Sequence, residues 1–315
     1  MLDYYYESMY PLLKALEEKR LGIIATLKKA AFALICTAIL LFFFLTRTEL
    51  LIPLHAFLIS FMSGFLIFMV IYRHESAGYG TLFKDIVIEK MIHFIDPSLL
   101  YSKMSCIPEH AFKQSELFVE SYDQFVGSDL VSGAIDGVDV HFCDLHVKKK
   151  VRDNDDKESW DTLFQGLFFV AEFNKSFHAK TVVLPDVAER NFGVLGSWMQ
   201  GVSQQRGALI KLDHVEFEKV FVVYGSDQIE SRYILSHALM EKIVQFHQKI
   251  QKPLYLSFVD SKMYLALYYT KPLFEPILTR SVLEFNGIKE YFELLVMITG
   301  IVTEFKLNEK LWSKH

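Results

Sequence analysis

The sequence predicts an α+β protein: a two-helix transmembrane hairpin, then a cytoplasmic domain with a mainly antiparallel sheet and flanking helices. Three observations predict it. Two long apolar runs without Asp, Glu, Lys or Arg fall before residue 73. From Phe118 onward the apolar pattern changes to period two, with tight-turn signals between short β-rich runs. Helical patterns then recur late in the chain, among and after the strands, as α+β folds arrange them.

The chain is 315 residues, 51% hydrophobic, 15% aromatic and 23% charged, with 28 Phe and 15 Tyr. That apolar mass suffices for a large core and excludes disorder for most of the chain. A formal charge of −5 gives no electrostatic reason to expect nucleic acid. Cys36, Cys106 and Cys143 are too few and too scattered for a disulfide framework or a zinc knuckle, and read as reduced, inert thiols.

Residues 1–29 form a polar lead in which Leu12, Leu13, Leu16 and Arg20 suggest a cytoplasmic or interfacial helix. Ala30 to Leu45 is uncharged and rises about 24 Å as a helix. Lys28 and Lys29 snorkel to the headgroups and complete the span. Leu50 to Tyr72 rises about 34 Å, with Pro53 in the first turn, where a missing N–H costs little. Ala33 and Thr37 on the first helix, and Ser60 and Gly64 on the second, are small pairs suited to close helix packing.

No Asp, Glu, Lys or Arg lies at membrane depth, so the hairpin (30–72) reads as an anchor rather than an ion path. Lys14, Lys19, Arg20, Lys28 and Lys29 precede it, Arg73, Lys84 and Lys90 follow it, and its loop carries Arg47 alone. This bias predicts both termini on the cytoplasmic side, with Lys28, Lys29 and Arg73 at the membrane interface. The long polar lead and the immediate second span argue against a signal peptide.

Residues 73–97 predict an amphipathic linker helix, with Phe83, Val87, Met91 and Phe94 on one face and a stop at Asp96-Pro97. Residues 98–315 form the cytoplasmic domain. Asp136-Gly137 marks a hairpin between alternating residues, followed by a strand over Val138 to Val147. Lys148 to Glu158 carries nearly cancelling charges and reads as a solvated loop. Leu167 to Phe173 suits a central strand, and Thr181 to Leu184 another. Gly193 to Gly207, rich in Gly, Gln and Ser, is the candidate mobile loop. Lys219 to Tyr224 is a strand, Ser236 caps a helix to Ile250, and Asp260-Ser261 joins two strands as a second hairpin. Gly287 to Phe305 is a core-facing helix.

Several stretches together resemble an uncharacterised bacterial membrane-protein family, the domain of unknown function 3137. They are Gly166 to Lys175, Val183 to Asp186, Phe217 to Tyr224, Asp227 to Leu235 and Leu256 to Asp260. The resemblance runs over roughly residues 120 to 280, and in the family a similar hairpin precedes that region. It implies an inner-membrane setting and brings no activity or site residues. Ser236-His237 departs from the family pattern, which has proline or a small residue at the second position.

No phosphate-binding loop, dinucleotide loop, zinc-protease or serine-hydrolase motif occurs, and no cofactor is expected. His141, Asp144 and His146 are the densest set of metal-ligand types, but five residues apart on a strand the two histidines face opposite sides. Glu216 and Glu218, if extended, share a face beside His214 and offer paired-carboxylate chemistry. Asp227, Glu230 and Arg232 offer a ligand site, or a reciprocal helix cap with Arg232 pairing to either acid. The leading expectation is a membrane-anchored module that binds a protein, lipid headgroup or small ligand. The alternative is a membrane-tethered hydrolase using carboxylate and histidine acid-base chemistry.

Overall fold

A computed structural model of the chain describes residues 2–48, 52–152, 156–173, 176–186 and 206–307. Two long apolar helices are followed by an antiparallel sheet with flanking helices. The chain divides into two compact units, Met1–Met91 with Glu275–Glu293, and Ile92–Phe274 with Leu294–His315.

In the first unit the apolar runs fold as continuous helices, α1 (Leu2–Arg47) and α2 (Pro53–Ile95), each long and apolar enough to cross a membrane. The expected linker helix is the second half of α2 rather than a separate element. A Cβ on Gly64 would lie 3.8 Å from the Leu34 carbonyl oxygen and 4.0 Å from the Ala38 Cβ, so the helices meet there. Ser60 also faces inward, whereas Ala33 and Thr37 are exposed. The contact stripe on α1 is therefore Ala31, Leu34 and Ala38, which border a groove shared with Gly64. An antiparallel register with Leu34 and Ala38 around Gly64 places Arg73 level with Lys28.

Outside the apolar stretches, Tyr5, Met9, Leu13 and Leu16 of α1 and Tyr79, Phe83, Val87 and Ile88 of α2 are buried. Leu278, Val282 and Ile288 of the returning segment are buried as well. Each helix widens for one turn, with Tyr10 N donating to Tyr5 O and Glu89 N donating to Lys84 O in an i→i+5 pattern.

The second unit is built on nine strands among the described residues: β1 (Leu100–Ser102), β2 (Gln124–Ile135), β3 (Val138–Arg152), β4 (Glu158–Glu172), β5 (Thr181–Pro185), β6 (Ala208–Ile210), β7 (Phe221–Gly225), β8 (Leu254–Val259) and β9 (Lys262–Tyr268). Their order is β1-β2-β3-β4-β9-β8-β5-β7-β6, with every pairing antiparallel. Both anticipated hairpins form. Asp136 and Gly137 take φ of 50° and 76°, and Asp260 and Ser261 take 51° and 58°, the paired positive values that suit a two-residue hairpin turn.

Two local readings change. Lys148 to Arg152 continues β3, and β4 starts at Glu158, so most of the expected charged loop is a β-hairpin arm. Charge cancellation does not distinguish a loop from a strand whose two faces carry different charges. The chain after Phe118 remains irregular to Gln124, where β2 begins. Residues 193–205 of the expected mobile loop lie outside the described residues.

Helices α3 (Glu109–Gln114), α4 (Val215–Glu218), α5 (Gln228–Ile234), α6 (His237–Ile250), α7 (Phe285–Thr299) and α8 (Ile301–Glu304) follow among the described residues. The C-terminal helical stretch expected from Gly287 to Phe305 is interrupted at Gly300, which separates α7 from α8. A core cluster joins Cys143, Leu145 and Val147 of β3, Phe164 and Phe168 of β4 and Ala266 of β9 to Ile107, Phe112, Leu117 and Phe118. Phe112 stacks on Phe118 at 5.2 Å, and this apolar anchor fixes the segment that forms the wall of the candidate site.

Candidate functional site

A cavity of about 620 Å³ opens beside α3, lined by Glu109, Lys113, Glu116, Phe118, Glu120, Tyr122 and Lys180, with Val119 and Ser121 between them. The local chain explains its polar wall. Ser115 ends α3 and is fully buried, its carbonyl oxygen accepting from Ser257 Oγ at 2.5 Å. Glu116 then takes a left-handed φ of 53°, which turns the chain so that Leu117 and Phe118 enter the core.

Glu116 meets Lys180 Nζ through both carboxylate oxygens, at 2.6 and 2.9 Å. Across the opening, Glu109 accepts from Lys113 Nζ at 2.7 Å and from the Tyr122 hydroxyl at 2.9 Å. The Lys113 hydrogen bond, with that of Tyr122, holds the Glu109 carboxyl below its ordinary range. Burial pushes the Tyr122 phenol up, assisted by its bond to Glu109.

Behind this wall lies Arg206, 1% exposed. Its Nε donates to Glu116 O at 3.1 Å, its Nη2 donates to Leu117 O, and its Nη1 has no hydrogen-bond partner among the described residues. Burial lowers its pKa, opposed first by the charge of Glu120, whose Oε2 is also buried and without a hydrogen-bond partner. Carboxylates and ammonium groups lie close to one another here, with the aromatic side chains of Phe118 and Tyr122 in the same lining. The sequence held no signal for it, because the lining combines one face of a short helix, the irregular segment after it and one lysine far along the chain.

The residues singled out from sequence lie elsewhere. His141 is exposed on β3, while His146 is half-buried with its Nε2 3.3 Å from Thr162 Oγ1. Asp144 accepts from Leu273 N at 2.9 Å, and no group of three metal-ligand side chains occurs among the described residues. Glu216 and Glu218 sit in the turn of helix α4 rather than on an extended segment. Glu216 pairs with Lys219, and Glu218 accepts from Leu212 N at 2.7 Å. His214 caps α4, its Nδ1 accepting from Phe217 N, and its ring lies 4.5 Å from that of His237.

Asp227 caps α5 by accepting from Glu230 N at 2.7 Å. Glu230 does not reach back to Asp227. It binds His178 N at 2.8 Å and Ala179 N at 2.5 Å, tying the approach to β5. Arg232 donates to Lys211 O and to neither acid.

Residues 162–307 match the model of the protein family of unknown function DUF3137. The match begins within β4 and runs to the end of the described chain, so it starts later and extends further than the sequence resemblance. No curated protein matches the chain. Among solved structures, the mycobacterial trehalose monomycolate transport factor A is similar at 8% identity, covering 69% of this chain and 95% of that one. Its TM-score of 0.33 is too low to carry any argument.

Proposed function

We propose that the chain is a bilayer-anchored binding module whose sheet domain takes a polar ligand, free or on a protein partner, in the cavity between Glu109 and Lys180. The single observation that carries the anchor is the exposure of apolar side chains around both long helices. Phe32, Leu40 and Val70 are each about 70% exposed, in a surface no aqueous helix sustains. Lys28, Lys29 and Arg73 are exposed at one level of the hairpin and suit the headgroup boundary. The basic bias around the spans supports both termini and the sheet domain on the cytoplasmic side, and the family resemblance supports a bacterial inner membrane.

Binding is favoured over turnover by the state of the alternative's residues. A hydrolase built on His214, Glu216 and Glu218 needs free acid-base groups converging on a pocket. Here His214 Nδ1 and the Glu218 carboxylate hold backbone N–H groups, and Glu216 is paired on the surface.

The test is alkaline extraction of membranes followed by native mass spectrometry of the full chain released from detergent. The reading expects retention in the membrane pellet and an adduct lost from a Lys180→Ala variant. Release at alkaline pH would reject the anchor, and an adduct indifferent to Lys180 would reject the cavity.

A further inference from the structure

The arm formed by the ends of β3 and β4 sorts its charges by face. Across the strands Lys148 opposes Thr162, Lys150 opposes Trp160, and Arg152 opposes Glu158. On the adjoining strand β2, His146 opposes Val126, and Lys148 opposes Gln124. Period two places these side chains on one face of the arm. Lys149, Val151, Ser159 and Asp161 lie on the other, where Lys149 directly opposes Asp161. The stretch that sums to near neutrality in sequence therefore presents three bases and one acid on one side. Beyond the strand ends the sequence reads Asp153-Asn154-Asp155-Asp156-Lys157, so the acids that balance the stretch cluster at its tip.

The same face carries exposed apolar groups. Trp160 is 51% and Val126 52% exposed, with Lys150 Nζ 5.4 Å from the indole centroid. Glu158 contacts Arg152 at 3.0 Å and Lys150 at 3.7 Å, but all three side chains are at least half exposed, so these pairs hold weakly and exchange with solvent. An indole edged by mobile lysines is the chemistry that enters the headgroup layer of an anionic bilayer: the ring takes the interfacial position and the ammonium groups meet phosphate.

We propose that this face, built on Lys148, Lys150, Arg152 and Trp160, docks on an anionic lipid surface. The inference rests on the bilayer anchoring proposed above, which supplies the surface. Nucleic acid fits less well, because the face offers one aromatic platform and the chain as a whole is negative.

The experiment uses the full chain with Trp198→Phe and Trp312→Phe, leaving Trp160 as the reporter. The protein is reconstituted in phosphatidylcholine alone or mixed with phosphatidylglycerol, with brominated phosphatidylcholine as the quencher. Quenching of Trp160 is expected in the anionic bilayer, weakening with added salt. Each basic residue near such a surface is worth about five-fold, so Lys148→Gln with Lys150→Gln lowers the docked fraction ratio about twenty-five-fold. Lys149→Gln, on the opposite face, leaves quenching unchanged and controls for folding of the arm.

Equal, unquenched emission in both bilayers, with the protein still resisting alkaline extraction, overturns the docking face and leaves the anchor standing. Release by alkali overturns the anchor and removes the reason for choosing lipid. Trp160 emission that answers to an oligonucleotide and not to phosphatidylglycerol overturns the lipid assignment in favour of nucleic acid.

Discussion

Glu17 and Arg20, one turn apart on α1, hold a returning segment of chain by opposite ends. Arg20 Nη1 donates to Leu278 O at 2.7 Å, while Glu17 Oε2 accepts from Val282 N at 3.1 Å. The two side chains also pair with each other at 2.7 and 2.9 Å, and both residues are under a tenth exposed. Residues 275–293 are more than 250 positions away in sequence, yet they belong to the first unit, and the ion pair binds two of their backbone groups.

Arg20→Ala is therefore expected to cost about 3–5 kcal/mol in the first unit, because it leaves a buried carboxylate without its partner. Replacing both with apolar residues, as in Glu17→Leu with Arg20→Met, should cost less than the single change. Thermal unfolding in detergent and proteolysis near residue 280 read both. A single variant no worse than the double would contradict the coupling.

Acid should weaken the molecule in two separable stages. In the second unit, burial holds His247 below its ordinary value of 6.5, and its Nδ1 is buried without a partner. The unfolded chain takes up that proton first, so stability is full above 6.5 and falls as pH drops through the folded value. In the first unit the hydrogen bond from Arg20 holds Glu17 below 4.5, so its contribution persists until pH falls beneath 4.5 and is lost through its depressed folded value. Melting curves against pH should show His247→Gln flattening the upper stage and Glu17→Gln the lower one.

Gly166 marks a close approach between strands. Its φ is 141°, and a Cβ there would fall 2.1 Å from Leu267 O and 2.8 Å from Tyr269 N. Gly166→Ala must part β4 from β9 at the centre of the sheet, with a cost of several kcal/mol expected from such a clash. Gly22 in α1 has nothing within 4 Å of its Cβ position, and Gly22→Ala should stabilise by about 0.5–1 kcal/mol through helix propensity. Chemical denaturation of the two variants checks the contrast, and equal effects would refute it.

Those glycines also mark how far the sequence could be read. The helical hairpin and both tight turns were legible because uncharged length and the Asp136-Gly137 and Asp260-Ser261 pairs are local signals. The arm of β3 and β4 was hidden by summing charge along the chain, when the strand separates Lys148 and Lys150 from Asp161 by face. The clamp of Glu17 and Arg20 on residues 278–282 was not legible at all, since nothing local at Leu278 announces that its carbonyl meets an arginine of α1. The cavity escaped for the same reason. Lys180 and Glu116 are 64 residues apart, and long-range packing such as that of Phe112 on Phe118 holds the Glu116 turn in place.

That distance makes the Lys180–Glu116 pair the informative place to separate binding from folding. The two side chains are about 30% exposed, so their ion pair contributes at most about 1 kcal/mol to stability. Lys180→Ala should leave the melting temperature nearly unchanged and weaken ligand capture by ten-fold or more, at about 1.4 kcal/mol per decade of affinity. Glu120→Gln probes the opposite side: its carboxylate opposes the buried charge of Arg206, so removing that charge should destabilise the domain as well as reduce binding. Melting and ligand titration on the two variants together decide the matter. A Lys180 variant that melts early but still binds would make the lysine a structural strut and move the recognition site away from this cavity.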